Sequence, residues 1–168
     1  AGMLAQAKVI ASWGSNVNVK IPVTNTKGEF TGPIINELSM AGVKLNITAI
    51  FTPEQVKAIA ENLSQYTFAI VSVFAGRIAD SGLDPMPIMR ECVEILKDSP
   101  KAELLWASPR ELLNIIQADE VGCHIITATP SVLGKLKLLE KDLTEFSLET
   151  VQMFYDDAQA AGYTINIA

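Results

Sequence analysis

A lysine interrupts the apolar run formed by Val17, Val19, Ile21 and Val23. Read as an extended strand, the run puts those four residues on one face and Asn18 and Lys20 on the other, because neighbouring side chains of a strand point oppositely. A lysine so placed sends its ammonium either to solvent at a sheet mouth or into an interior, where an unpaired charge is costly. One role is structural, an edge-strand lysine or an ion pair. The other is chemical: desolvation and nearby positive charge leave more of a lysine as the free amine, which attacks a carbonyl carbon to form an imine. Arg77 and Arg110 are the candidates for that positive field.

Other polar groups sit near the ends of other apolar runs. Asn46 and Thr48 alternate with Leu45, Ile47 and Ala49; Ser72 and Phe74 alternate with Val71 and Val73; Ser108 follows Trp106 on the side opposite Ala107. Taken singly, Thr48 is an ordinary β-branched strand residue, Phe74 a core aromatic and each arginine a surface charge. A shared face makes them a candidate site. His124, the only histidine, lies in an apolar strand and reads as structural, and no nucleophile elbow occurs. With one histidine and two widely spaced cysteines, Cys92 and Cys123, no metal constellation is expected. Both cysteines read as buried small apolar residues. Asp80 and Asp84 are read either as orienting Arg77 or as turn residues around Gly82.

The elements that must position these residues follow from hydrophobic period, which switches repeatedly between two and about 3.6 residues. Strands are expected at 17–23, 44–51, 68–74, 103–107 and 123–127. Helices are expected at 2–13, 33–40, 53–62, 85–97, 109–117 and 147–161, four of them opening near a proline, which suits a first helical turn. The last is expected to be capped by Ser147 and to bury a stripe of Leu148, Val151, Phe154, Tyr155 and Ala158. Alternating strands and helices imply an α/β fold with a parallel sheet, either barrel or doubly wound. No glycine-rich phosphate loop follows a strand, and the polar groups gather at C-terminal strand ends, where (β/α)8 TIM barrels build their sites.

The 168 residues, 49% hydrophobic and 19% charged, suit an ordinary folded domain. A net charge of −6 argues against nucleic-acid or anionic-membrane partners. No apolar run reaches spanning length and the first residues lack a signal-peptide pattern, so a cytoplasmic protein is expected.

Four stretches, VNVKIPVT, GVKLNITAIFTPEQ, IVSVFAGRIAD and WASPRELLNIIQADEVGCHIITATP, resemble in order the transaldolase family, class I aldolases that include fructose-6-phosphate aldolase-like enzymes. The resemblance implies that Lys20 is the Schiff-base lysine on the fourth barrel strand. It implies that Asn46 contacts substrate hydroxyls, that Thr48 helps hold the catalytic water, and that Ser72 and Phe74 wall the site. Arg77, Ser108 and Arg110 match phosphate-binding positions, in keeping with the planar fork that arginine offers phosphate. In the family a phenol at the position of Phe74 accompanies free-ketone aldolase chemistry and phenylalanine accompanies transaldolase. The resemblance therefore implies a transaldolase of carbohydrate metabolism, in the pentose phosphate pathway, acting on sugar phosphates with no cofactor or metal. A fructose-6-phosphate aldolase-like enzyme and a non-catalytic sugar-phosphate-binding fragment are the alternatives, and a homo-oligomer is among the assemblies it allows.

A closed barrel needs eight strands and usually at least about 200 residues. Residues 1–168 are accordingly expected to form one barrel domain covering strands 4 to 8, without the three βα units on which the family carries an aspartate, a threonine and asparagine, and a glutamate or glutamine for proton transfer and substrate binding.

Overall fold

The computed structural model describes residues 2–167. The chain runs α1 (Gly2–Ala11), β1 (Val19–Pro22), α2 (Gly32–Met40), β2 (Leu45–Ile50), α3 (Pro53–Ala60), β3 (Ala69–Val73), α4 (Ala75–Asp80), α5 (Pro85–Leu96), β4 (Ala102–Trp106), α6 (Leu113–Glu120), β5 (Ile125–Ile126), α7 (Pro130–Leu133), a 3-10 turn (Gly134–Leu138) and α8 (Leu143–Ala161). It divides into two compact units, residues 1–133 and 134–168, each described by itself.

In the first unit all five strands are parallel and lie in the order β1-β2-β3-β4-β5. Each new strand is added beside the last, with no reversal of order such as a doubly wound sheet requires. This α/β arrangement is that of a (β/α)8 barrel taken over five of its strands. One face is dry. Val19, Ile21, Leu45, Ile47, Val71, Leu104 and Trp106 are at most 2% exposed, packed with Ile35, Leu38, Val56, Ile59 and Met89 of the helices. That burial is the driving force for the unit and explains why the strands read as alternating apolar runs.

Side-chain caps fix the starts of α3 and α5. Thr52 accepts the Gln55 amide while the Gln55 side chain accepts the amides of Phe51 and Thr52, closing a capping box ahead of Pro53. Asp84 caps α5 through the Met86 amide at 2.9 Å.

Four sequence expectations need correction. Ala49 does not continue the alternation of β2: it takes a left-handed backbone, φ 61°, and the register slips there, so Ile50 instead enters the core opposite Val73. α6 begins at Leu113 rather than at Pro109, because the Asn114 side chain accepts the amides of Arg110 and Glu111 at 2.7 and 3.0 Å and holds the preceding turn out of helix. A short helix, α4, occupies the segment after β3 that alternation alone left unassigned. In the second unit α8 starts at Leu143, capped by Asp142 through the Thr144 and Glu145 amides, both at 2.9 Å, so Ser147 lies inside the helix. Its stripe is exposed, from 59% at Tyr155 to 68% at Leu148, since one helix and a turn offer no second layer of their own to bury it.

β5 is only two residues long. Just before it, His124 Nδ1 accepts the Leu104 amide at 3.1 Å and the His124 amide donates to the Leu104 carbonyl at 3.1 Å. A side chain thus completes the ladder at the start of the strand.

Candidate functional site

The strand register aligns the residues of the face opposite the helices. Lys20 of β1 lies beside Asn46 of β2, and Pro22 beside Thr48. Adjacent strands are about 4.8 Å apart, so the Lys20 and Asn46 side chains rise from one face as immediate neighbours. The Ser72 hydroxyl of β3 donates to Asn46 Oδ1 at 2.7 Å. Lys20 is exposed and makes no hydrogen bond or ion pair among the described residues. Thr48 Oγ1 is buried and finds no hydrogen-bond partner among them. A buried hydroxyl left unmatched in this way is costly unless it meets a water or a ligand.

A second group gathers beyond the C-terminal ends of β3 and β4. Phe74 follows β3 and packs its ring 5.8 Å from that of Phe51. The Arg77 guanidinium lies 5.3 Å from the centre of the Phe74 ring. Ser108 follows β4 in a left-handed conformation, φ 59°. Its carbonyl approaches Gly76 so closely that a Cβ there would stand 1.5 Å from the Ser108 oxygen. The Gly76 amide donates to Ala107 O at 3.2 Å, which locks the start of α4 to the segment after β4. Arg110 grips Asp80 through two bonds, Nε to Oδ1 at 3.2 Å and Nη2 to Oδ2 at 2.5 Å. That pairing, with smaller help from the Arg110 and Arg77 charges, holds the Asp80 carboxyl below the usual range.

The eight residues singled out in the sequence therefore fall into a face group, Lys20, Asn46, Thr48 and Ser72, and an end group, Phe74, Arg77, Ser108 and Arg110. Asp80 orients Arg110 rather than Arg77, and Asp84 caps a helix. The positive field expected from the arginines is partly offset by that same carboxylate. Gly76 and Asn114 were not read as site residues; a small residue directly before Arg77 was the one signal for the first, and nothing local marked the second. A cleft of about 380 Å3 lined by Phe51, Pro53, Arg77, Ile78, Leu83 and Ile88 adjoins the end group.

Both cysteines were expected to be buried; Cys92 is, and Cys123 is half-buried. Desolvation, with Glu91 adding to it at Cys92, pushes each thiol up to about 12, so neither is a nucleophile near neutrality. Among the described residues no group of three or more His, Cys, Asp and Glu is placed to hold a metal ion, and no helix is long and apolar enough to cross a membrane.

A parallel sheet of this order, with polar groups at its C-terminal ends, agrees with a comparison to known families. The model described as Transaldolase/Fructose-6-phosphate aldolase matches residues 1–165. The chain belongs to this family. Among its relatives, a "Probable transaldolase" of Nitrosopumilus maritimus is 32% identical over 168 residues, covering 99% of this chain and 71% of that protein. A "Probable transaldolase 2" of Listeria monocytogenes is 35% identical over 135 residues, 80% of this chain and 58% of that protein. A "Probable transaldolase" of Dehalococcoides mccartyi is 37% identical over 146 residues, 86% of this chain and 63% of that protein. Matches to these relatives thus span between 58% and 71% of their lengths. Family and relatives indicate a transaldolase-type enzyme, and sugar-phosphate substrates fit the family.

Proposed function

We infer that this chain carries the Schiff-base and phosphate-binding part of a transaldolase, which moves a three-carbon dihydroxyacetone unit between sugar phosphates. The observation that carries this reading is the alignment of Lys20 with Asn46, itself fixed by Ser72, on the open face of the sheet. Lys20 Nζ attacks the ketone carbon of a ketose phosphate, and loss of water leaves a protonated imine. The C3–C4 bond then breaks: a base removes the C4 hydroxyl proton, an aldose phosphate departs, and the bonding pair passes into the imine as an enamine. The enamine attacks the aldehyde carbon of an acceptor aldose phosphate, whose oxygen takes a proton, and water hydrolyses the new imine to free the product ketose and Lys20. The protonated imine is the electron sink for cleavage, and the enamine returns the pair to the acceptor.

The remaining residues take supporting roles in this proposal. Asn46, its Oδ1 engaged by Ser72, presents amide hydrogens to substrate hydroxyls. Thr48 Oγ1, buried and unmatched, holds the water that closes the cycle. Arg77, Ser108 and Arg110 bind the phosphate, which sets the substrate's direction along the face. Phe74, which has no phenol, favours transfer over release. The base for the C4 hydroxyl is assigned to the three βα units that precede the fourth barrel strand in the family. Two free thiols suit a cytoplasmic setting.

The test is Lys20→Ala in the whole protein, assayed for transfer from fructose 6-phosphate to an aldose-phosphate acceptor. Transfer is expected to disappear while the phosphate ester still binds; transfer at the wild-type rate contradicts the proposal. Release of free dihydroxyacetone from the wild type without acceptor would instead identify a fructose-6-phosphate aldolase-like enzyme.

A further inference from the structure

The pair formed by Asp80 and Arg110 joins the end of α4 to the segment after β4, and its geometry divides the guanidinium in two. Asp80 takes the side edge, Nε and Nη2, through both carboxylate oxygens. Nη1 has no partner among the described residues, so the end-on edge that it shares with Nη2 remains available. An arginine binds phosphate with either edge, and a guanidinium free to rotate about its long stem must be ordered when a ligand arrives. Two oxygens on the side edge remove that freedom beforehand, which is how preorganisation improves binding without adding a contact to the ligand. The contact is too exposed to matter much for folding: both side chains are 51% exposed, and pairs of that kind add little stability. The Arg77 charge also helps to lower the Asp80 carboxyl.

We propose that Asp80 is a positioning residue of the phosphate subsite, holding Arg110 by its side edge so that the end-on edge faces a phosphate monoester. The inference rests on the reading of Arg110 as a phosphate ligand. It carries a definite sign. A carboxylate acting only as local negative charge would repel phosphate, and its removal would tighten binding; a carboxylate acting through Arg110 loosens binding when removed.

The test is calorimetric titration of the whole protein with fructose 6-phosphate, with fructose as the unphosphorylated comparison. Asp80→Ala is expected to weaken fructose 6-phosphate binding roughly tenfold, with a much smaller effect on fructose, and Asp80→Glu is expected to recover most of the loss. In an Arg110→Ala background, Asp80→Ala should cause no further loss, because the arginine through which it acts is gone. A purely structural defect would not show that dependence on Arg110. Equal or tighter binding by Asp80→Ala, or a loss fully additive with that of Arg110→Ala, overturns the positioning role alone. Failure of the wild type to prefer fructose 6-phosphate over fructose overturns the phosphate reading, and the positioning role with it.

Discussion

The Ser72 hydroxyl donates to Asn46 Oδ1 at 2.7 Å, and Ser72 itself is only 3% exposed. A side chain so enclosed contributes by orienting its neighbour: the bond holds the Asn46 side chain against β3. Ser72→Ala is therefore expected to cost about 1 kcal/mol of stability and to slow imine formation with fructose 6-phosphate roughly fivefold by freeing the amide. Urea unfolding and the initial rate of borohydride-trapped adduct measure the two effects. A variant with lowered stability and an unaltered trapping rate would show that the orientation of Asn46 has no part in the chemistry.

Gly76 is the point at which the start of α4 touches the segment after β4. A methyl group there would stand 1.5 Å from Ser108 O and 2.5 Å from Ser108 C, and both are backbone atoms with no rotamer to relieve them. Gly76→Ala is expected to destabilise the protein by about 2–4 kcal/mol and to weaken binding of phosphate esters by displacing Ser108 and Arg110. An unfolding midpoint equal to that of the wild type would mean that the start of α4 and the segment after β4 are not in contact.

The thiols set an alkaline limit on stability. Burial raises Cys92 and Cys123 to about 12 from an ordinary value of 9.0. Between these values the unfolded chain loses protons that the folded chain retains, so the contribution to stability is whole below about pH 9 and is lost progressively as pH rises toward 12. The slope is about 1.4 kcal/mol per pH unit for each thiol that behaves fully in this way. Unfolding measured from pH 8 to 11 is expected to show this decline, and Cys92→Ala should flatten it relative to the wild type. A Cys92→Ala profile parallel to the wild type would contradict the assignment at that residue.

How much of this was legible in the chain depended on the range of the signal. The alternation of Val17, Val19 and Ile21, and the proline starts at Pro33, Pro53 and Pro85, are local, and they yielded the five strands and three helix starts. Lys20, Asn46 and Ser72 could be put on one face because a parallel register preserves the two-residue period across strands. Three kinds of feature escaped because they arise between segments. The slip at Ala49 is a backbone event at a residue with no glycine or asparagine to announce it. The delayed start of α6 depends on Asn114 accepting amides from before the helix. The pairing of Asp80 with Arg110 spans thirty residues and exists only once α4 is set against the segment after β4. Amphipathicity in α8 was visible, but a stripe does not say what covers it.

The most direct measurement of the central claim is mass spectrometry of the whole protein after incubation with fructose 6-phosphate and borohydride, which reduces an imine to a stable amine. A reduced three-carbon adduct on Lys20, absent from Lys20→Ala, is the predicted result, because it requires both imine formation and carbon-carbon cleavage. Folded protein that binds fructose 6-phosphate yet carries no adduct, or an adduct on another lysine, would contradict the account.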